Sequence, residues 1–254
     1  MKAIILSAGQ GRRLLPLTES RPKCALPVGP RSVLEWQLHE IAQTAVDEVV
    51  VVTGFGADTV DALVGAWRGL PVRTVYNPFF AHCDNLGTCW VARGEMHGDF
   101  VIVNGDTLFE APILERLLAQ SAMAPVTLVT DSKAAYDDDD MKVMVAGGRL
   151  ARVGKQLDRA GVNGESIGMM HFRPDGARRF TAQVEHMMRH GSGLKQWYLS
   201  AIDALAREGL VATCAINGLS WCEIDDRADL DRAAGVVASW PAAPALRASA
   251  SRTG

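Results

Sequence analysis

Short apolar runs alternate with stretches of helical period along the first half of the chain. Residues 2–7, 48–53, 71–76, 100–104 and 126–130 are rich in β-branched and apolar side chains and are bounded by glycine, proline or acids, which predicts strands. Between them, Leu34, Leu38, Ile41 and Ala45 share one face of a helix over 32–44, and Val60, Leu63, Val64 and Trp67 do the same over 58–68. The alternation predicts βα units around a mainly parallel, doubly wound sheet. Past residue 131 the pattern changes. Positions 141–145 and 150–153 flank Gly147-Gly148 and predict a hairpin, 166–172 a further strand, and 175–189 and 195–208 two helices. A short strand at 221–224 and a closing helix at 226–239 complete one α/β domain over residues 1–239 with a small β-rich insertion. The small residues of 240–254 predict a disordered tail.

Composition narrows the partners. With 26 Lys plus Arg against 29 Asp plus Glu, the net charge is −3, and no basic excess exists to coat a nucleic-acid backbone. No apolar run approaches the roughly 18 residues of a membrane span, and the first strand breaks into glycines, unlike a signal peptide. The five cysteines (24, 83, 89, 214 and 222) are odd in number and form no CxxC pair, so they read as reduced thiols of a cytoplasmic protein. The six histidines show no zinc-ligand spacing beside them; His186 and His190 share a helix face but have no third partner.

The first chemical signal follows the first strand. In Ser7-Ala8-Gly9-Gln10-Gly11-Arg12-Arg13-Leu14, small residues let backbone N–H groups point at an anion without Cβ interference, and a phosphate is the obvious guest. The loop is not a Walker A, because no Gly-Lys-Ser/Thr closes it. It is a poor dinucleotide fingerprint too, since Leu14 replaces the third glycine and the second strand ends in Val52-Thr53-Gly54 without an acid for the ribose. A ligand-free turn is the bland alternative. A phosphate guest is anionic and needs cations; at an effective dielectric of about 20, a unit charge at 4 Å contributes roughly 4 kcal/mol, which makes Arg13 and Lys23 the candidates.

Gly9-x-Gly11-x-Arg13-Leu14-x-Pro16-Leu17-Thr18 followed by Pro22-Lys23 resembles the signature of the nucleotidyltransferases that join a nucleoside triphosphate to a sugar 1-phosphate or a phosphoalcohol. The chain departs from it at Arg12 and at Cys24-Ala25, without losing a charged group. The resemblance implies a Rossmann-like sheet of the nucleotidyltransferase type. It also implies that residues 7–12 and Gly105 cradle the nucleotide, that Arg13 grips the outgoing pyrophosphate, and that Lys23 sits between the α-phosphate and the incoming phosphate.

Two acidic strand ends are candidates for a metal. Val101-Ile102-Val103-Asn104-Gly105-Asp106 is an apolar strand that delivers Asp106 to a carboxyl edge, where open α/β sheets place ligands, although helix capping is the alternative there. In Trp221-Cys222-Glu223-Ile224-Asp225-Asp226, strand alternation puts Glu223 and Asp225 on one face, and Asp226 suits the cap of the last helix. Mg²⁺ prefers one or two carboxylates plus phosphate oxygens and water, so Asp106 and Asp225 form the expected pair. The resemblance assigns Mg²⁺ to the same strand-terminal aspartate.

Asn77-Pro78-Phe79-Phe80-Ala81-His82-Cys83-Asp84-Asn85 resembles the base-reading loop of bacterial phosphocholine cytidylyltransferases, with Asp84 and Asn85 facing the base, and the Trp221-x-Glu223-Ile224-Asp225 ending resembles the same branch. CTP and phosphocholine are thus the implied substrates. Glu165 lies in a segment similar to that family's acceptor side, and Glu223 can serve the acceptor as well. Lys142 and Lys155 are candidates for the acceptor phosphate or solvated hairpin lysines. A quaternary ammonium wants aromatic faces, for which Trp197, Tyr198, Trp221 and Tyr136 are the candidates, with Trp197 and Tyr198 on different sides of one helix. Two other readings stay open: a sugar 1-phosphate with UTP, GTP or dTTP, and a catalytically silent nucleotide-binding regulatory domain.

Overall fold

The computed structural model describes residues 1–120, 124–191 and 193–241. In chain order its elements are β1 (Lys2–Ser7), β2 (Pro27–Val28), β3 (Arg31–Ser32), α1 (Val33–Ile41), β4 (Glu48–Thr53), α2 (Ala57–Ala66), β5 (Val72–Tyr76), α3 (Asn85–Val91), β6 (Phe100–Asn104), β7 (Thr107–Phe109) and α4 (Ala111–Gln120). There follow β8 (Val126–Asp131), β9 (Lys142–Ala146), β10 (Arg149–Gly154), β11 (Gly164–Phe172), α5 (Pro174–His190), α6 (Leu199–Arg207), β12 (Val211–Ala215), β13 (Trp221–Glu223) and α7 (Arg227–Ala238). Local chemistry starts several helices. Ser32 and Glu35 form a capping box at α1, Asp226 and Asp229 another at α7, and Pro174 opens α5, where its missing N–H costs nothing.

Nine strands make the main sheet, in the order β5-β4-β1-β6-β11-β8-β12-β10-β9. The first four are parallel neighbours, β11 runs antiparallel between β6 and β8, β12 is parallel to β8, and the β9–β10 hairpin lies antiparallel at the far edge. Alternation along the strands splits the core into two layers. Ile4, Val50, Val52 and Ile102 pack with Leu86 of α3, Phe180 of α5 and Ile202 of α6. Ala3, Ile5, Val49, Val51, Val101 and Val103 pack on the other face with Leu34 of α1, Val60 of α2 and Ile113 of α4. A third cluster joins Leu14, Leu26 and Trp36 to Ala233 and Val237 of α7.

The doubly wound α/β fold is the predicted one, and the hairpin proves to be a continuation of its sheet: β9 also pairs with the start of β11, Glu165 opposite Lys142. Several details differ. β12 escaped the periodicity because Val-Ala-Thr-Cys-Ala offers little apolar bulk, and β7 is only three residues long. The helix expected from 195 begins at Leu199, after a 3₁₀ turn at Gly193–Lys195, so Trp197 and Tyr198 stand before it and not on its two sides. Trp240, assigned to the tail, is buried edge-on against Trp36 (5.8 Å) and donates Nε1–H to Ser220 Oγ (2.9 Å). Residues 242–254, the rest of the expected tail, lie outside the described residues.

Candidate active site

A cavity of 270 Å³ opens at the carboxyl ends of β1 and β6, where the fold leaves a crevice. The glycine loop is built on Gly11, whose φ of 75° favours glycine and whose missing side chain leaves room for the Lys23 stem, 3.0 Å from an added Cβ. Arg13 lies on the 3₁₀ turn Arg12–Leu14 and Lys23 on the turn Lys23–Ala25. Across the cavity, the backbone N–H of Gly105 donates to Leu6 O (3.0 Å), which binds the tip of β6 to β1. A methyl group at 105 would overlap Ser7 Oγ and the Leu6 carbonyl. Gly105→Ala is therefore expected to cost about 1–3 kcal/mol of stability by overpacking, read as a lower Tm by circular dichroism; an unchanged Tm would mean that the strand tips have room to part.

The two acidic strand ends meet although they lie 119 positions apart, 106 to 225. β13 does not join the main sheet. It pairs antiparallel with β7, Glu223 opposite Thr107, and the Ile224 N–H donates to the Asp106 carbonyl (3.1 Å), so the ladder sets Asp225 beside Asp106. Asp229, in the first turn of α7, accepts from the backbone N–H groups of Asp225 (2.9 Å) and Asp226 (3.0 Å) and fixes the end of the strand. Both acids converge on one point: Lys23 Nζ donates to Asp106 Oδ2 and to Asp225 Oδ1, each at 2.8 Å. Arg13 adds a second cation, 2.9 Å from Asp225 Oδ1.

These charges shift one another. Burial disfavours the Lys23 ammonium, but Asp106 and Asp225 outweigh it and raise its pKa. Asp225 resists the upward push of burial, because Lys23 and Arg13 hold its carboxyl below the usual range. Water reaches Glu223, yet desolvation by the cleft walls and then Asp106 and Asp225 push its pKa up to about 8. One oxygen is left over: Asp106 Oδ1 is buried without a hydrogen-bond partner. Among the described residues there is no group of three or more His, Cys, Asp or Glu side chains placed to hold a metal.

Of the residues singled out in the sequence, Ser7, Gly9, Gly11, Arg13, Lys23, Asn85, Gly105, Asp106, Lys155, Trp197, Glu223 and Asp225 line this one cavity. Nine others do not, Trp221 and Tyr136 among them. The Ala8 carbonyl accepts from the Phe55 N–H, Gln10 Nε2 donates to the Thr18 carbonyl and the Arg12 side chain is exposed, so the loop turns alternate residues, 7, 9, 11 and 13, to the cavity. Asp84 stands at the N-cap position of α3 without a side-chain capping bond, and its neighbour Asn85 lines the cavity in its place. Tyr198 is fully buried and its hydroxyl donates to Asn104 Oδ1 (2.9 Å). Lys142 is buried too, donating to the carbonyls of Asp140 (3.3 Å) and Lys155 (3.0 Å), and Glu165 pairs with Lys133 (3.0 Å). Asp139, Asn104 and Ser166 line the cavity unforeseen; the run of four acids at 137–140 was the one available signal.

The domain family described as the MobA-like NTP transferase domain matches residues 3–198. The chain belongs to that family. Among curated relatives of this chain, the CMP-5'-(3-aminopropyl)phosphonate synthase of Streptomyces rubellomurinus is 29% identical over 90% of this chain and 37% of its own length. The choline-phosphate cytidylyltransferase of Streptococcus pneumoniae is 30% identical over 43% of this chain and 47% of its own. The chain thus spans half or less of the length of these relatives. Among solved structures, the CTP:phosphocholine cytidylyltransferase of S. pneumoniae superimposes with a TM-score of 0.76 at 19% identity, covering 93% of this chain and 98% of that one. The inositol-1-phosphate CTP transferase of T. maritima does so with 0.78 at 18%, covering 95% and 98%. At these identities the structures establish the shared nucleotidyltransferase fold.

Proposed function

We propose that the chain is a Mg²⁺-dependent cytidylyltransferase that moves CMP from CTP onto an ionised oxygen of a small phosphate- or phosphonate-bearing acceptor and releases pyrophosphate. The observation that carries this reading is the convergence of Asp106 and Asp225 on Lys23, beside the glycine loop. The names of the Streptomyces synthase and the streptococcal cytidylyltransferase support the cytidylyl group, and both acceptors they name carry a phosphorus acid at one end and a cationic nitrogen at the other.

The metal fits the donor set. Asp106 and Asp225 would hold it: their oxygens already meet within a hydrogen bond of a single atom, the unpartnered Asp106 Oδ1 is a spare donor, and phosphate and water complete the shell that a hard divalent ion prefers. When bound, Mg²⁺ neutralises phosphate charge and polarises the reacting phosphoryl group. The chain's own groups do the rest. Arg13 and Lys23 leave the carboxylates for phosphate oxygens, the backbone at Gly9 and Gly11 cradles the polyphosphate, and the acceptor is held in line with the α-phosphorus. The new P–O bond forms to the acceptor oxygen as the bond to pyrophosphate breaks. No general base is needed, because the attacking oxygen is ionised at neutral pH.

The test is a panel of CTP, UTP, GTP and dTTP against phosphoalcohols, aminoalkylphosphonates and hexose 1-phosphates, read as pyrophosphate release. CTP with a phosphoalcohol or aminoalkylphosphonate is expected to dominate. Turnover of UTP or dTTP with a hexose 1-phosphate, and none with CTP, would replace the cytidylyl reading by the sugar one; nucleotide binding without any turnover would favour a regulatory domain.

A further inference from the structure

The cavity's acceptor side is equipped for one kind of positive charge. A quaternary ammonium has no N–H and is held on aromatic faces, whereas a primary ammonium brings three N–H donors and wants oxygens. All four aromatic candidates are otherwise engaged. Tyr198 is sealed in the core beside Phe180. Trp221 packs in the second core layer and donates Nε1–H to Asp131 (2.8 Å). Tyr136 carries the Lys133 ammonium over its ring at 5.9 Å. Trp197 alone among them lines the cavity, and Lys155 Nζ already sits over its face at 4.8 Å.

Oxygens, by contrast, are in supply. Asp139 lines the cavity with one oxygen 3.1 Å from Arg13 Nη1 and the other 3.4 Å from Lys155 Nζ. It joins the cation that would grip the triphosphate to the cation on the acceptor side. A triphosphate carries about four charges against its one, so a bound nucleotide would draw Arg13 away and leave Asp139 Oδ2 without that partner.

Building on the cytidylyltransferase reading, we propose that the acceptor carries a primary ammonium and that Asp139, released from Arg13 by the nucleotide, is the residue that reads it. The arrangement makes binding sequential, nucleotide first. It also leaves the loop itself independent of the carboxylate, because the backbone N–H of Asp139 is held by Asp137 Oδ1 (2.8 Å).

The experiment compares acceptors that differ only in N-methylation, phosphoethanolamine with phosphocholine and 2-aminoethylphosphonate with its trimethylammonium counterpart, using the full chain, CTP and Mg²⁺. A charged hydrogen bond should favour the primary amine by about 10- to 100-fold in kcat/KM. In Asp139→Asn, and in Asp139→Ala as a second variant, the preference should shrink to about threefold or less while the KM for CTP stays level or falls, because Arg13 is freed. Calorimetry on wild type should show the amine acceptor binding at least about tenfold more tightly with α,β-methylene-CTP present than without it. A preference for the methylated acceptor, a preference that survives in folded Asp139 variants, or nucleotide-independent binding would each overturn the inference and leave the cytidylyl reading intact. Turnover with hexose 1-phosphates alone, or none with any triphosphate, would remove both.

Discussion

Asp225→Asn is expected to lower kcat by at least about 10²- to 10³-fold while the protein stays folded, because it removes a charge and not a volume. Asp225 Oδ1 is the atom on which Lys23 and Arg13 both converge, and with Asp106 it supplies the carboxylate pair proposed for Mg²⁺. Asp106→Asn should behave alike. The measurement is pyrophosphate release across a Mg²⁺ titration, with the Tm followed in parallel. A shared ion makes a further demand: the double variant should be little worse than either single one, since groups that act as a unit are not additive. Wild-type rates in either single variant would take the metal away from this pair, and losses that multiply would mean that the two acids act separately.

Lys23→Ala should lower turnover by about 10²- to 10⁴-fold through lost charge stabilisation in the transition state. It carries a second signature. Lys23 offsets the charge of the two carboxylates it bridges, and removing it leaves Asp106, Asp225 and Glu223 without their main counter-ion. The variant should therefore melt below wild type without divalent ions and gain more in Tm from added Mg²⁺ than wild type does, because no ammonium competes for the same oxygens. Equal Mg²⁺ shifts in the two proteins would show that the lysine and the ion do not share a place.

Much of this was legible in the sequence, for identifiable reasons. Strands buried on both faces wrote themselves as unbroken apolar runs, which is why β1, β4 and β6 were found to the residue. Arg13 and Lys23 were readable as a pair because one short stretch of chain carries both to the cavity. The pairing of Asp106 with Asp225 was only half readable: alternation gave the face of Asp225, but nothing local revealed that β7 and β13 lie side by side. Tyr198 and Lys142 misled for the opposite reason. Their side chains suggest a ligand, and only the fold shows that the tyrosine hydroxyl is spent on Asn104 and the ammonium on two carbonyls. Asp139 was hidden among its neighbours; in a run of four acids no pattern tells which one lines the cavity.

The three-residue ladder between β7 and β13 has a consequence for how the protein can be divided. The family match stops at residue 198, and a fragment trimmed there would keep the glycine loop, Arg13, Lys23 and Asp106 yet lack the returning strand that brings Asp225. On the proposed reading such a piece would hold the groups assigned to the polyphosphate and only one of the two carboxylates assigned to Mg²⁺. During synthesis the same holds for the growing chain, in which the two acids meet only once residues 221–225 have been made and β13 has paired with β7.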